Sequence, residues 1–146
     1  MSTFPLALVM VAAGAMIAFQ SPINASLARN VGAFEAALVS FATGTGLLLL
    51  VVLLRGKGNV RALAGVPAWQ YLGGVLGAAY ITAIILLVPR LGVGSLMVTA
   101  LTGQLGAALL IDRMGWFGLA ARPLDARRLA AVALLFVAVL LMTGRK

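Results

Sequence analysis

The feature that most constrains this chain is its division into five apolar stretches, each close to the about 20 residues that a helix needs to cross about 30 Å of hydrocarbon at 1.5 Å per residue. They run from Phe4 to about Leu27, Phe34 to Leu54, Ala68 to Val88, Leu91 to Ile111 and Leu129 to Thr143. The fifth is short. It is expected to recruit Leu124 to Arg128 and so to run over about 125–143, with Arg127 and Arg128 reaching toward the headgroups. Too little chain remains for a second domain, so residues 1–146 read as one integral-membrane domain. The fold class is an all-α membrane protein of five transmembrane helices.

Composition supports this class and excludes others. Hydrophobic residues make up 63% of the chain and charged residues 10%, against roughly half and a quarter in soluble domains. A soluble domain of this size leaves about a third of its unfolded surface exposed, and cannot hide so many apolar side chains. With no His and no Cys, disulfides, thiol nucleophiles, imidazole bases and the commonest ligands for zinc, haem and iron–sulfur clusters are all missing. No cofactor and no metal are expected. A net charge of +8 raises the question of nucleic acid, but the basic residues sit between apolar runs rather than on one face of a soluble fold. The expected partner is membrane lipid, and nucleic acid is not.

Turn chemistry agrees with these spans. Arg55-Gly56-Lys57-Gly58-Asn59 ends the second helix, Pro67 opens the third and Pro89-Arg90 closes it. Trp69 and Tyr71 fall just inside the start of the third helix, and Trp116 and Phe117 just past the fourth, where amphipathic rings favour the interface. The start Met1-Ser2-Thr3-Phe4 has no basic n-region and leads into further spans, so the first helix is expected to be retained rather than cleaved as a signal peptide. Orientation follows from Lys and Arg. Seven of them (Arg55, Lys57, Arg61, Arg113, Arg122, Arg127, Arg128) lie on one side and four (Arg29, Arg90, Arg145, Lys146) on the other. That bias predicts a cytoplasmic amino terminus in a cell (inner) membrane, and its smallness leaves room for dual topology.

Polar groups in hydrocarbon either hold helices together or line a pathway. In the first helix, Gln20 and Asn24 are four apart and share a face, with Ser21 beside them and Pro22 between. Pro22 has no amide to offer the carbonyl of Ala18, so a bend and a free carbonyl are expected there. This amide and carbonyl patch is a candidate for replacing part of a solute's hydration shell; interhelical hydrogen bonding is the other reading. In the fourth helix, Ser95, Thr99, Thr102 and Gly106 form one line of small side chains, a packing face. Gln104, Ala108 and Asp112 share the opposite face, with Gln104 about 12 Å deeper than Asp112. Gln104 is read as pathway lining or as helix glue. Asp112, followed by Arg113, is read as a surface ion pair or as a titratable group. In the third helix, Gly73 and Gly77 make a small-xxx-small approach surface that Tyr80 continues. The second helix offers Ser40, Thr43, Gly44 and Thr45, and the hydroxyls of the Ser and Thr residues can be satisfied by their own i−4 carbonyls, so little follows from them. Glu35, in the first turn of that helix, is placed either to answer the helix dipole or to titrate. Asp125 falls in a loop. With so few acids, and none clearly deep, the sequence does not establish proton coupling.

In order along the chain stand Gln20…Asn24-Ala25-x-Leu27, then Ser40-Phe41-x-x-Gly44, then Trp69-x-x-x-Gly73-Gly74-x-x-Gly77-Ala78-x-Tyr80. Pro89-x-Leu91-Gly92 follows, and then Gly103-Gln104…Asp112-x-x-Gly115-x-x-Gly118. This ordered set resembles the YdcZ-like branch of the drug/metabolite transporter superfamily, over nearly the whole chain. The resemblance implies a five-helix unit corresponding to half of a ten-helix inverted-repeat transporter, with small members working as antiparallel dimers. A physical argument points the same way. Five helices, one of them short, do not readily surround a polar path, whereas two units related by an axis in the membrane plane do. The small multidrug-resistance relatives use a membrane-embedded glutamate in their first helix; the first helix here has none.

The leading expectation is therefore a secondary transporter or exporter of a small polar or amphiphilic solute, working by alternating access as an antiparallel homodimer or with a paired homologous subunit. The substrate-pathway candidates are Gln20, Ser21, Asn24, Tyr80 and Gln104. Glu35 and Asp112 are the titratable candidates, and Gly73, Gly77, Thr99 and Gly106 the helix-packing ones. The alternative is a non-transporting membrane subunit or assembly partner of a larger complex. An enzyme is not expected, because no nucleophile–base pair can be assembled without Cys or His.

Overall fold

A computed structural model describes residues 4–144. The start Met1-Ser2-Thr3 and the basic residues Arg145 and Lys146, used above for processing and orientation, lie outside the described residues. Five long apolar helices make up most of the structure: α1 Phe4–Val31, α2 Ala33–Arg55, α3 Leu72–Leu91, α4 Val93–Met114 and α5 Ala126–Thr143. Each is long and apolar enough to cross a membrane, α3 together with the 3-10 turn Ala68–Tyr71 that precedes it.

The helices outrun the apolar stretches at several ends. α1 continues through Ala28, Arg29 and Asn30 to Val31, because intrahelical hydrogen bonding does not stop where hydrophobicity does. α3 passes Pro89 and ends at Leu91. Proline removes the amide that would bond the Ile85 carbonyl and crowds that turn, yet the helix runs two residues past it, so Pro89 does not close the helix where the sequence suggests. α3 also begins later, as α-helix only from Leu72.

Two connections are one residue long. Gly32 (φ 99°, ψ 157°) joins α1 to α2, and Gly92 (φ 75°, ψ 160°) joins α3 to α4. This combination of angles is essentially closed to residues with a Cβ. Gly32 donates its N–H to the Ala28 carbonyl at 2.9 Å and accepts from Ala36 N–H at 3.0 Å, so its own two backbone groups are both satisfied in the reversal. The longer connections are pinned by side chains. Tyr71 donates its hydroxyl to the Leu63 carbonyl at 2.9 Å. After α4, Gly115 adopts the left-handed conformation (φ 63°) and Arg122 N–H reaches back to the Asp112 carbonyl at 2.8 Å.

The chain divides into two compact units, Met1–Pro89 and Arg90–Lys146. In the first, α1 packs along α2, and Ala36 and Ala37 are buried with Ile85 of α3, against Leu27, Ala28, Ala33 and Ile81. Alanines at the contact let α1 and α2 approach closely just beyond their one-residue hinge. In the second unit, α4 packs along α5. Ser95 Oγ donates to the Met142 carbonyl at 3.1 Å, and Gly94 faces the Met142 side chain.

Candidate functional site

The polar groups of α1 lie within its hydrophobic span, about 12–18 Å along the axis from the Gly32 hinge. Ser21 and Asn24 are buried, at 1% and 5% exposure, and Gln20 is half-buried. Ser21 Oγ donates to the Ile17 carbonyl at 3.1 Å, one turn back. That carbonyl neighbours Ala18, whose own carbonyl has no amide to accept at Pro22. α1 stays helical through this point.

Both amides are drawn to one hydroxyl. Asn24 Nδ2 donates to Ser40 Oγ at 3.2 Å and Gln20 Nε2 donates to the same oxygen at 3.4 Å. Ser40 is therefore the junction of an α1–α2 polar cluster. The sequence did not single Ser40 out, since such a hydroxyl can equally be satisfied within its own helix. Thr43 does behave that way, donating to the Val39 carbonyl at 2.9 Å. A signal for Ser40 exists in the sequence: hydroxyl and amide positions equidistant from a tight hinge face each other in a helical hairpin. Ser40 lies 8 residues after Gly32 and Asn24 lies 8 before it.

The cluster opens into a cleft of about 220 Å³ lined by Gln20, Ser40, Phe41, Gly44, Thr45, Leu48 and Ile81. Its walls are mostly apolar, with amide and hydroxyl groups at one end and no charged side chain among the lining residues. Such a cleft offers hydrogen bonds in both senses inside a low-dielectric surround. It holds no group that titrates near neutral pH.

The other candidates are placed as follows. Tyr80 is half-buried on α3, next in sequence to the cleft-lining Ile81. Gly77 faces the Phe41 ring, 3.5 Å from where a Cβ would stand, whereas Gly73 has open space around it. Gln104 lies on an exposed face of α4. Thr99 is exposed and donates to the Ser95 carbonyl at 2.8 Å, and Gly106 borders a groove between α4 and α5.

The carboxylates have structural partners. Glu35, in the first turn of α2, folds its carboxylate back over Gly32. Asp112 Oδ2 pairs with Arg128 Nη1 at 3.1 Å, so its ion-pair partner is not the adjacent Arg113, and Arg128 is held by α4. Asp125 caps α5, its Oδ1 accepting from Arg128 N–H at 2.8 Å. Among the described residues no cluster of His, Cys, Asp and Glu has the makings of a metal site.

With this geometry in hand, comparison with known proteins gives one family. The model described as "Putative inner membrane exporter, YdcZ" matches residues 5–141. No curated protein and no solved structure matches the chain. Five membrane-length helices and a match over nearly the whole sequence agree on a multi-pass inner-membrane protein: the chain belongs to the YdcZ family.

Proposed function

We propose that this protein exports a small polar or amphiphilic solute across the inner membrane by alternating access, and that Gln20, Ser21, Asn24 and Ser40, with Tyr80 and Gln104, line its path. The observation that carries the reading is the convergence of two amides on Ser40 at the head of a largely apolar cleft. Amides in a membrane are costly unless they are used, and here Gln20 and Ser40 line the opening while the buried Asn24 holds Ser40 from within the α1–α2 contact. Glu35 and Asp112 stand outside the cleft lining, so solute binding does not need a titratable carboxylate in this reading.

Half-transporter architecture belongs to the same proposal. Five helices form half of a ten-helix inverted repeat, and a second unit of opposite orientation, identical or homologous, closes the path near the midplane. The amino terminus of the predominant orientation is cytoplasmic.

The test is efflux from liposomes containing purified protein, screened against a broad panel of metabolites and drugs. Gln20→Leu, Asn24→Leu and Gln104→Leu are expected to abolish or redirect transport while insertion is intact, since each makes its helix more apolar. Full activity in all three variants would leave the amides as helix glue and end the proposal.

A further inference from the structure

The second unit carries a feature that solute transport does not use. Between α4 and α5 runs a groove of about 520 Å³, bordered by Gly106, Leu110, Leu124, Leu129, Ala133 and Phe136. Its volume lies in the range of small-molecule sites, about 300–1,000 Å³. The walls are uncovered: Leu110 is 53% exposed, Leu129 54% and Phe136 57%. Gly106 opens the α4 side by presenting no side chain there. From Leu129 to Phe136 the groove follows α5 for about 10 Å into the hydrophobic span.

One end of this groove is basic. Arg113 closes α4 one turn past the groove residues Leu109 and Leu110 and on the same face, and Arg122 is tied by its backbone to the Asp112 carbonyl, whereas Arg127 falls on the face of α5 opposite Leu129, Val132, Ala133 and Phe136. Arg128 is already matched by Asp112, and Asp125 is engaged as the helix cap. Within residues 112–128 the four arginines exceed the two aspartates by two charges. An apolar channel descending from a membrane-interface arginine cluster has the chemistry of an acyl chain below an anionic headgroup.

We propose that the α4–α5 groove is a binding site for an anionic phospholipid, one acyl chain lying along Gly106, Ala133 and Phe136 and the phosphodiester held by Arg113 and Arg122. Zwitterionic lipid fills the groove less tightly, because its own ammonium competes for the phosphate.

The experiment is native mass spectrometry of the full-length protein in detergent, titrated separately with dioleoyl phosphatidylglycerol and dioleoyl phosphatidylcholine. Phosphatidylglycerol adducts are expected to persist at markedly lower lipid concentration. The Arg113→Gln/Arg122→Gln variant is expected to lose about fivefold in that preference per arginine, with helicity by circular dichroism unchanged. Should that variant misfold, the unaltered protein supplies the second measurement: high salt is expected to erase the preference while leaving residual binding. Ala133→Trp is expected to weaken both lipids. Equal binding of the two lipids, or a preference indifferent to both the arginines and salt, overturns the site. So does crosslinking between two copies through Ala133→Cys in phosphatidylglycerol vesicles, which gives the groove to a second chain.

Discussion

Gly32 combines two constraints at one atom. Its backbone angles exclude a Cβ, and an added Cβ would also run into the Glu35 carboxylate. Gly92 shares the angles but has open space around it. The carboxylate is the end of a flexible side chain and can swing aside, so Gly32→Ala and Gly92→Ala are both expected to cost the about 1–3 kcal/mol of the forbidden conformation. Thermal unfolding of the two variants in detergent tests this. At Ser40 the expectation concerns coupling. Ser40→Ala and Asn24→Leu should be non-additive in stability by about 0.6 kcal/mol, the usual size of an interhelical bond in a membrane. A double-mutant cycle measures it. These residues mark the edge of what the sequence discloses. Gln20 and Asn24 stand out because amides four apart on an apolar helix have few explanations. Ser40 does not, because a serine hydroxyl can be satisfied by its own helix, as that of Thr43 is, and only the hairpin register decides between the two outcomes.

Among the helices, α5 shows how different the worth of two aspartates can be. Asp112 pairs with Arg128 where the two side chains are 34% and 29% exposed, so screening holds the pair to less than about 1 kcal/mol. Asp125 satisfies an otherwise orphaned N–H at the start of a helix of 18 residues, a cap worth about 1 kcal/mol. Asp125→Ala is expected to destabilise at least as much as Asp112→Asn, and chemical unfolding in mild detergent compares them. α3 offers a second contrast. Gly77→Ala is expected to be tolerated, because its Cβ meets Phe41 at ordinary contact distance. Gly77→Leu must push aside a ring that also walls the cleft. Lost folded protein by size-exclusion chromatography is the expected readout. All five helices were legible as hydrophobic stretches of membrane length. Their ends were less so, since hydrophobicity marks where lipid stops and helical hydrogen bonding continues past that point, as at Arg29 and Pro89.

Across the described residues, the buried apolar side chains amount to three alanines, two isoleucines, one valine and one leucine. A water-soluble fold of this length could not stand on so little core. In lipid the deficit is harmless, because the exposed leucines and phenylalanines are already in an apolar solvent. What lipid does not satisfy is the cleft headed by Gln20 and Ser40, and this is why the proposed path calls for a second, oppositely oriented unit. Single cysteines at Lys57 and at Ala121 are expected to be labelled by impermeant maleimide from both faces of the membrane if one chain supplies both orientations. Labelling from one face only would assign the complement to a different polypeptide.

The one-residue turns at Gly32 and Gly92 carry a practical corollary. Where the chain reverses through a lone glycine, nothing protrudes into water for a protease to cut, an antibody to grip or an inserted tag to occupy. Experiments that need a handle between helices must take it from residues 56–67 or 115–125, on the opposite side of the bilayer.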